Sequence, residues 1–538
     1  MGSFGCLVEN WTTPVLPLSW AKKASEHIPW LSVVAFYAVL ANLPYWIVSG
    51  EFSFSRQGWF CVQYATVGLI ALVAPRILAA GLLFAIMIAD LLCGICITYS
   101  LPARECLANL CTVEAFNGRH LFYVITLILL TLLMAATAAL LPGKTLPKSQ
   151  RWRAAACLVV FAVVILGVDC LSIRRATGHL PTFGRLPAQQ GADPSRFNIP
   201  RLARIPIIRL VHLQAIEATM AGFEKSGPPS AFPAPSATAV AMRDGGILHG
   251  GNHGDLPNIV LVLVESWGLA VDQPLQNALV ESYLQPNVSA KYAVVPGSVP
   301  FHGPTVPGEA RELCGSAIGF HLLALPAADL RSCVPARLAA LGYDTIGVHG
   351  MSGHMFNRST WYNTIGFQER WFHEQLQPRG LPDCTGALIG TCDADIAAWI
   401  GRRLKEPGPR PYFIHWMTLN SHLPVPVPSP LSDGAPCSLA LSLTPKSPLC
   451  SWYQLVANVH SSVALLATGP LARPTVFVIV GDHAPPFGDP ALRRRFSETD
   501  VPYVILLPRA DRIAKSEVMA RNSVTPFQKP AKSSRQIP

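Results

Sequence analysis

Residues 476–485 read Val-Phe-Val-Ile-Val-Gly-Asp-His-Ala-Pro. A short apolar run followed at once by Gly481-Asp482-His483 is the pattern of a buried strand that ends in a functional loop. Four further runs read as buried strands: Ile259–Val264, Asp344–Val348, Tyr412–Met417 and Pro502–Leu507. Continuous apolar runs of this kind are typical of parallel strands covered on both faces. Helical stretches separate them, and such alternation implies an α/β sheet with helices on both sides. Ligands in these sheets sit beyond the carboxyl ends of the strands, so polar residues there are the first candidates for chemistry.

Four of the runs end in such residues. Ile259–Val264 leads into Glu265-Ser266-Trp267-Gly268, and Val476–Val480 into Gly481-Asp482-His483. Tyr412–Met417 leads into Asn420-Ser421-His422, and Asp344–Val348 into His349-Gly350. Taken singly, a Glu after a strand is an ordinary helix-start charge and a His an ordinary packing residue. Converging at one sheet edge, Glu, Asp and His suit one divalent cation such as Zn or Mn. The segment Phe301-His302-Gly303-Pro304-Thr305-Val306-Pro307-Gly308-Glu309 adds a hydroxyl at the start of a helix. A plain role for Thr305 is an N-cap. A chemical role is as nucleophile, because a hydroxyl beside a metal and a helix N-terminus loses its proton more easily. It could then attack phosphorus and form a phospho-threonine intermediate.

Outward from this core the composition changes. The chain has 538 residues, half of them hydrophobic, and only 14% charged. Soluble domains carry roughly 25% charged residues, so part of the chain is expected in lipid. The net charge of +10 does not imply nucleic acid as a partner, because the basic residues form no single dense stripe. Five stretches are apolar enough for membrane spans: Ile28–Val48, Trp59–Val73, Ile77–Leu101, His120–Leu141 and Ala154–Ile173. Residues 1–27 show no cleavable leader, so the first span is expected to be an uncleaved anchor. Lys22, Lys23, Arg76, Lys144, Lys148, Arg151 and Arg153 fall on one side of such an arrangement. The bias of basic loops then puts residues 1–27 in the cytoplasm and everything after span five outside. Asp90 and Asp169 are the only acids within the spans, which argues against a transporter.

The cysteines give a second argument for the compartment. Of 14 in the chain, six lie in the large domain as sequence-local pairs: Cys314 with Cys333, Cys384 with Cys392, Cys437 with Cys450. Disulfides persist in oxidising compartments. Zinc ligation is the alternative, but no C-x-x-C knuckle occurs there. Residues 174–257 read as a connector. Its Ile199–Lys225 stretch could be an interfacial amphipathic helix or a plain linker helix, and Ser226–Thr238 is a Pro/Ser/Ala-rich flexible stretch. The folded domain is expected at 258–508, and the basic tail 509–538 is expected to be disordered.

These motifs resemble the sulfatase-like branch of the alkaline phosphatase superfamily. More closely, the chain is similar to the membrane-bound lipoteichoic acid synthases, phosphoglycerol transferases and phosphoethanolamine transferases. The resemblance implies a five-helix transmembrane domain followed by an extracytoplasmic α/β sulfatase-like domain in the plasma (inner) membrane. It implies Glu265, Thr305, Asp482 and His483 as metal ligands, with Thr305 also the nucleophile. His349 to Arg358, H-G-M-S-G-H-M-F-N-R, looks like the family's H-G-N-x-x-x-F-W-N-R. His349 and Arg358 would then contact the phospho-alcohol, and His422 would face the transferred phosphate. Met351 and Phe356 depart from the family pattern and leave the head group open between glycerol and ethanolamine. The implied partners are a phospholipid donor and a cell-envelope glycan or lipid acceptor.

Other readings are a phosphodiesterase or phosphatase, a sulfatase, or a membrane sensor with a retired catalytic domain. Formylglycine sulfatases carry C-x-P-x-R or S-x-P-x-R, whereas Thr305-Val306-Pro307-Gly308-Glu309 offers neither the convertible residue nor the arginine. A retired domain would be expected to have lost ligands, and all four are present.

Overall fold

In the computed structural model the described residues are 29–51, 60–98, 118–177, 235–244, 256–301, 303–315, 329–384, 386–426, 437, 447–487 and 489–509. The expected surface helix at 199–225 and the basic tail from 510 lie outside them. The chain folds as two units.

The larger unit is built on seven strands: β1 (Asn258–Val264), β2 (Tyr292–Pro300), β3 (Asp344–His349), β4 (Glu369–Trp371), β5 (Tyr412–Met417), β6 (Thr475–Gly481) and β7 (Asp500–Pro508). They form one sheet in the order β2-β7-β6-β1-β5-β3-β4. β1 is central and pairs in parallel with β5 and β6. β3 continues the parallel set, with His349 level with Met417. The expected strand at 502–507 is present as β7, but it runs antiparallel to both β6 and β2. Its apolar run reflects burial between neighbours on both edges, which a reversed strand achieves equally well. β2 has no clean apolar run because Pro296, Gly297 and Pro300 interrupt it. Proline is tolerated on a sheet edge, and Gly297 makes room for the ring of its cross-strand partner Tyr503.

Helices cover both faces, as expected from the alternation. The principal ones are α1 (Ala237–Asp244), α2 (Gln273–Leu284), α3 (Thr305–Cys314), α4 (Val334–Ala340), α5 (Arg358–Thr364), α6 (Asp393–Lys405) and α7 (Pro448–Thr468). The strand period of two divides β1 between two cores. Val260, Val262 and Val264 pack with α2, α6 and α7. Ile259, Leu261 and Leu263 pack with α1, α3, α4 and α5. The α/β unit therefore reaches back before Pro257, because α1 lies within the stretch read as connector. Ser236, Ala237 and Thr238 are buried. Glu312 of α3 accepts hydrogen bonds from the Thr238 amide at 2.9 Å and its hydroxyl at 2.8 Å.

The smaller unit comprises 1–46, 58–89 and 128–178. Helices lying wholly or partly in it are Leu43–Glu51, Val62–Ala71, Arg76–Thr98, Gly118–Leu140 and Lys148–Thr177. Three helical segments are long and apolar enough to cross a membrane: Pro29–Ile47, Phe122–Thr145 and Lys148–Val168. Val62–Ala71, within the second expected span, has only 10 residues. A core of Tyr37, Tyr64, Val67, Leu83, Met134 and Leu158 holds this unit together. Gly68 admits the Tyr37 side chain where a Cβ would lie 2.8 Å from it. Small residues let membrane helices approach in this way. Leu129, Leu133, Val160 and Val163 remain exposed, as lipid-facing positions would be.

The six cysteines of the larger unit, whose connectivity the sequence leaves open, stand at disulfide distance as nearest neighbours in sequence, with Cα separations of 4.1, 4.8 and 5.8 Å.

Candidate metal centre and phosphate site

Parallel pairing aligns the ends of β1 and β6, with Val264 level with Gly481. The residues that follow, Glu265 on one side and Asp482-His483 on the other, are thereby brought together. One ligand atom from each lies within 4.8 Å of the others, and all three residues are buried. The Asp482 amide donates to the Val264 carbonyl at 3.2 Å, which turns the chain at the strand end.

Ser266 fixes two of these groups. It has a left-handed backbone with φ 57°, which a non-glycine residue adopts at a cost of about 1–3 kcal/mol. In that conformation its amide donates to Asp482 Oδ1 at 2.7 Å and its hydroxyl to Glu265 Oε1 at 2.8 Å. The Ser266 carbonyl in turn accepts from Trp452 Nε1 at 3.0 Å. The His483 amide also donates to Asp482 Oδ1, at 2.6 Å. Asp482 Oδ2 is fully buried and makes no hydrogen bond of good geometry among the described residues, though His483 Nε2 stands 3.3 Å away. A buried carboxylate oxygen left in that state is costly, and a cation is the group that would satisfy it.

Thr305 is half-buried and is the first residue of α3, with Pro304 at the cap position. The capping role considered for Thr305 is therefore not the one it plays. Its hydroxyl instead donates to Glu265 Oε2 at 3.1 Å. α3 is held against the β6 end by Arg311, whose Nη2 donates to the Gly481 carbonyl at 2.7 Å and Nη1 to that of Asp482 at 3.3 Å. Gly308 lets the helix pass close behind the ligand. A Cβ there would stand 3.0 Å from both Cα and Cβ of Asp482.

The electrostatics describe a cluster with too much negative charge. Burial, and then the charge of Glu265, push Asp482 up to about 8 against the pull of His483. Burial opposes the charged imidazole of His483, but Asp482 and Glu265 outweigh it and raise its pKa. Burial likewise opposes the Glu265 carboxylate, while His422 and His483 bring it below the usual range. A bound divalent ion reverses this balance, since its own charge dominates such a site. The three residues, with the Thr305 hydroxyl, fit a small hard or borderline divalent cation.

The β3 and β5 ends supply the remaining candidates. His349 is buried and its Nδ1 donates to the Met417 carbonyl at 3.0 Å. Burial, with Arg358 adding to it, pushes the imidazole down to about 3, so the ring is neutral with a lone pair on Nε2. His422 feels the charge of Glu265, yet burial outweighs it and lowers the pKa. The loop that carries His422 is anchored by Asp393, which accepts from the Leu419 amide at 3.0 Å and the Asn420 amide at 2.8 Å. Asn420 Nδ2 also reaches Cys384 Sγ at 3.2 Å, so one disulfide lies directly beside this loop.

Arg358 begins α5 and is buried. Its Nη2 pairs with Glu309 Oε2 at 2.9 Å and its Nε with the same oxygen at 3.0 Å. The structure thus places Glu265, Thr305, Asp482 and His483 in one cluster, with His349, His422 and Arg358 within electrostatic reach of Glu265. Ser266, Glu309 and Arg311 were not singled out from the sequence. Their partners lie 216, 49 and 170 residues away, and no local pattern announces them.

The sulfatase family model matches residues 326–526, which bears out the family resemblance over the part that carries His349, Arg358, His422, Asp482 and His483. No curated protein matches the chain. Among solved structures, the chain is similar to the lipoteichoic acid synthase LtaP from Listeria monocytogenes at 13% identity, over 51% of this chain and 72% of that one, with a TM-score of 0.36. It is similar to the Streptococcus pyogenes phosphoglycerol transferase GacH, in complex with sn-glycerol-1-phosphate, at 16% identity, over 52% and 76%, with a TM-score of 0.33. The zinc complex of the periplasmic domain of EptC from Escherichia coli gives 14%, over 50% and 78%, with a TM-score of 0.31.

Proposed function

We propose that this sulfatase-type protein is a membrane-anchored phosphotransferase that moves a phospho-alcohol head group, phosphoglycerol or phosphoethanolamine, from a phospholipid to a cell-envelope glycan or lipid. The observation that carries the reading is the Thr305 hydroxyl, 3.1 Å from Glu265 Oε2 at the edge of the Glu265–Asp482–His483 cluster. A hydroxyl on the first turn of a helix, beside three buried ligand groups, supports a role as nucleophile. Zn or Mn, held by Glu265, Asp482, His483 and Thr305, would supply Lewis acidity and offset the phosphate charge.

The chain's own groups then divide the work. Thr305 Oγ1 attacks phosphorus, forming the P–O bond to threonine as the bond to diacylglycerol breaks, and the threonine proton passes through neutral His422 to the departing diacylglycerol oxygen. The positive end of α3 favours the negative charge on the attacking oxygen. Arg358 pairs with a phosphoryl oxygen. His349, neutral and with Nε2 free to accept, hydrogen-bonds a head-group hydroxyl or ammonium. His422, neutral near pH 7, takes the proton of the acceptor hydroxyl as that oxygen attacks the phospho-threonine, and returns it to Thr305 Oγ1 as that oxygen is released.

Anchoring follows from the apolar helices. The five-span count, with residues 1–27 inside and the catalytic unit in the periplasm or other extracytoplasmic space, is supported by the basic-loop bias and by the cysteine pairs. The decisive experiment incubates the purified full chain with phosphatidylglycerol or phosphatidylethanolamine and a divalent metal, then examines the peptide containing Thr305 by mass spectrometry. A phosphoglycerol or phosphoethanolamine adduct on Thr305 is expected and identifies the donor. Retention of full activity by Thr305→Ala would overturn the nucleophile assignment.

A further inference from the structure

Glu309 lies one helical turn after Thr305 and is wholly shielded from solvent. Its carboxylate takes Arg358 Nε at 3.0 Å and Nη2 at 2.9 Å. The Tyr362 hydroxyl donates to Oε1, and His415 Nε2 stands 3.7 Å from the same oxygen. The bonds of Arg358 to Glu309 run through its Nε/Nη2 edge, and its guanidinium lies over the Phe356 ring at 5.3 Å. Of its five N–H groups, the ones at the Nη1/Nη2 end are those left for a ligand.

We propose that Glu309 is a positioning residue for phosphate. It occupies the Nε/Nη2 edge of Arg358 and offsets its charge, so that the guanidinium meets phosphate only through its Nη1/Nη2 end, and it ties that donor to the helix that carries Thr305. The inference rests on the phosphoryl-transfer reading above and adds to it how the phosphate is gripped. A free guanidinium takes phosphate through two parallel N–H bonds. One already bound edge-on by a carboxylate offers only its remaining end, with much of its charge offset. Phosphate is then held firmly enough to be oriented and loosely enough to leave. Nucleophile and donor sit on, or are bonded to, residues 305 and 309 of one helix, so their spacing is set by helix geometry rather than by two independent loops.

The competing role is a buried ion pair that merely stabilises the fold. The two roles separate in kinetics of the full chain in detergent with its divalent metal, using bis(p-nitrophenyl) phosphate as probe substrate and inorganic phosphate as competitor. Glu309→Gln keeps the shape but frees the charge and the second edge of Arg358. Inorganic phosphate should then inhibit about tenfold more tightly, while kcat falls by about tenfold or more, the scale of one charge-assisted hydrogen bond. Tyr362→Phe keeps the ion pair, removes one bond to Glu309, and is expected to move both constants in the same directions by less. It also serves as the test should Glu309→Gln fail to fold. A structural role would lower the yield or melting temperature and leave the phosphate inhibition constant of the folded fraction unmoved. Unmoved inhibition constants, with the adduct still forming on Thr305, would overturn the proposal. Absence of the adduct in the unaltered protein would overturn the transfer reading instead.

Discussion

Two buried ionic clusters flank helix α3, and they are built on opposite principles. Around Thr305 stand Glu265, Asp482 and His483: two carboxylates and a single imidazole, which stands 3.3 Å from Asp482 Oδ2 and 3.5 Å from Glu265 Oε1. One turn on, Glu309 has Arg358, Tyr362 and His415 about it. Burial opposes its charge, yet Arg358 and His415 hold its carboxyl down to about 2. Asp482 goes the other way, up to about 8. The second cluster brings its own cation, while the first is arranged to receive one. Burial alone therefore does not separate a cation site from an ion pair that is already compensated. The balance of charge within the buried set does.

The contrast can be tested by removing one member from each side. The largest effect is expected for Asp482→Ala, which removes a ligand and should lower turnover by on the order of a thousandfold or more. Loss of tight metal binding, read by equilibrium dialysis, should accompany it. Next comes Glu309→Ala, which leaves the Arg358 charge buried and unpaired. Breaking such a pair costs about 3–5 kcal/mol, visible as a lower denaturation midpoint. In chelator, Asp482→Asn should show the reverse sign or no loss, because it relieves repulsion. If both variants destabilise the metal-free protein alike, the two clusters are of one kind after all.

The smallest effect concerns pH. The folded-state pKa of Asp482, about 8, lies above its ordinary value of 3.8. Across that window the folded metal-free protein holds more protons than the unfolded chain, so its stability falls as pH rises. A cation displaces the proton and removes the penalty. The gain in melting temperature on replacing chelator with Zn or Mn should therefore be larger at about pH 8 than at about pH 6. A gain independent of pH would mean that Asp482 is already ionised without metal.

The first cluster was legible in the sequence because each ligand follows directly on a strand whose apolar run is unbroken, as in Val476–Val480 before Asp482. The second was not. Glu309 and Arg358 are 49 residues apart, and helix periodicity at Glu309 shows only that the residue faces inward. Ser266 was hidden for a different reason, since its contribution comes from a left-handed backbone that no serine signals. The direction of β7 was equally hidden, because burial, not orientation, writes an apolar run. α1 was missed because a short Ala-rich helix after Pro235 has the composition of a linker, and only docking under Glu312 gives it a place.

Gly308 carries a consequence for how such a protein can vary. Every other amino acid adds at least a methyl group, and at this position the methyl would press on Asp482 at 3.0 Å. The helix would have to yield by a few tenths of an ångström, and Thr305 and Glu309 would move with it. A single substitution at a residue with no functional group of its own would thus disturb the proposed nucleophile, metal ligand and phosphate grip together. In a lineage that keeps this chemistry, position 308 has no neutral neighbours, and drift must go around it.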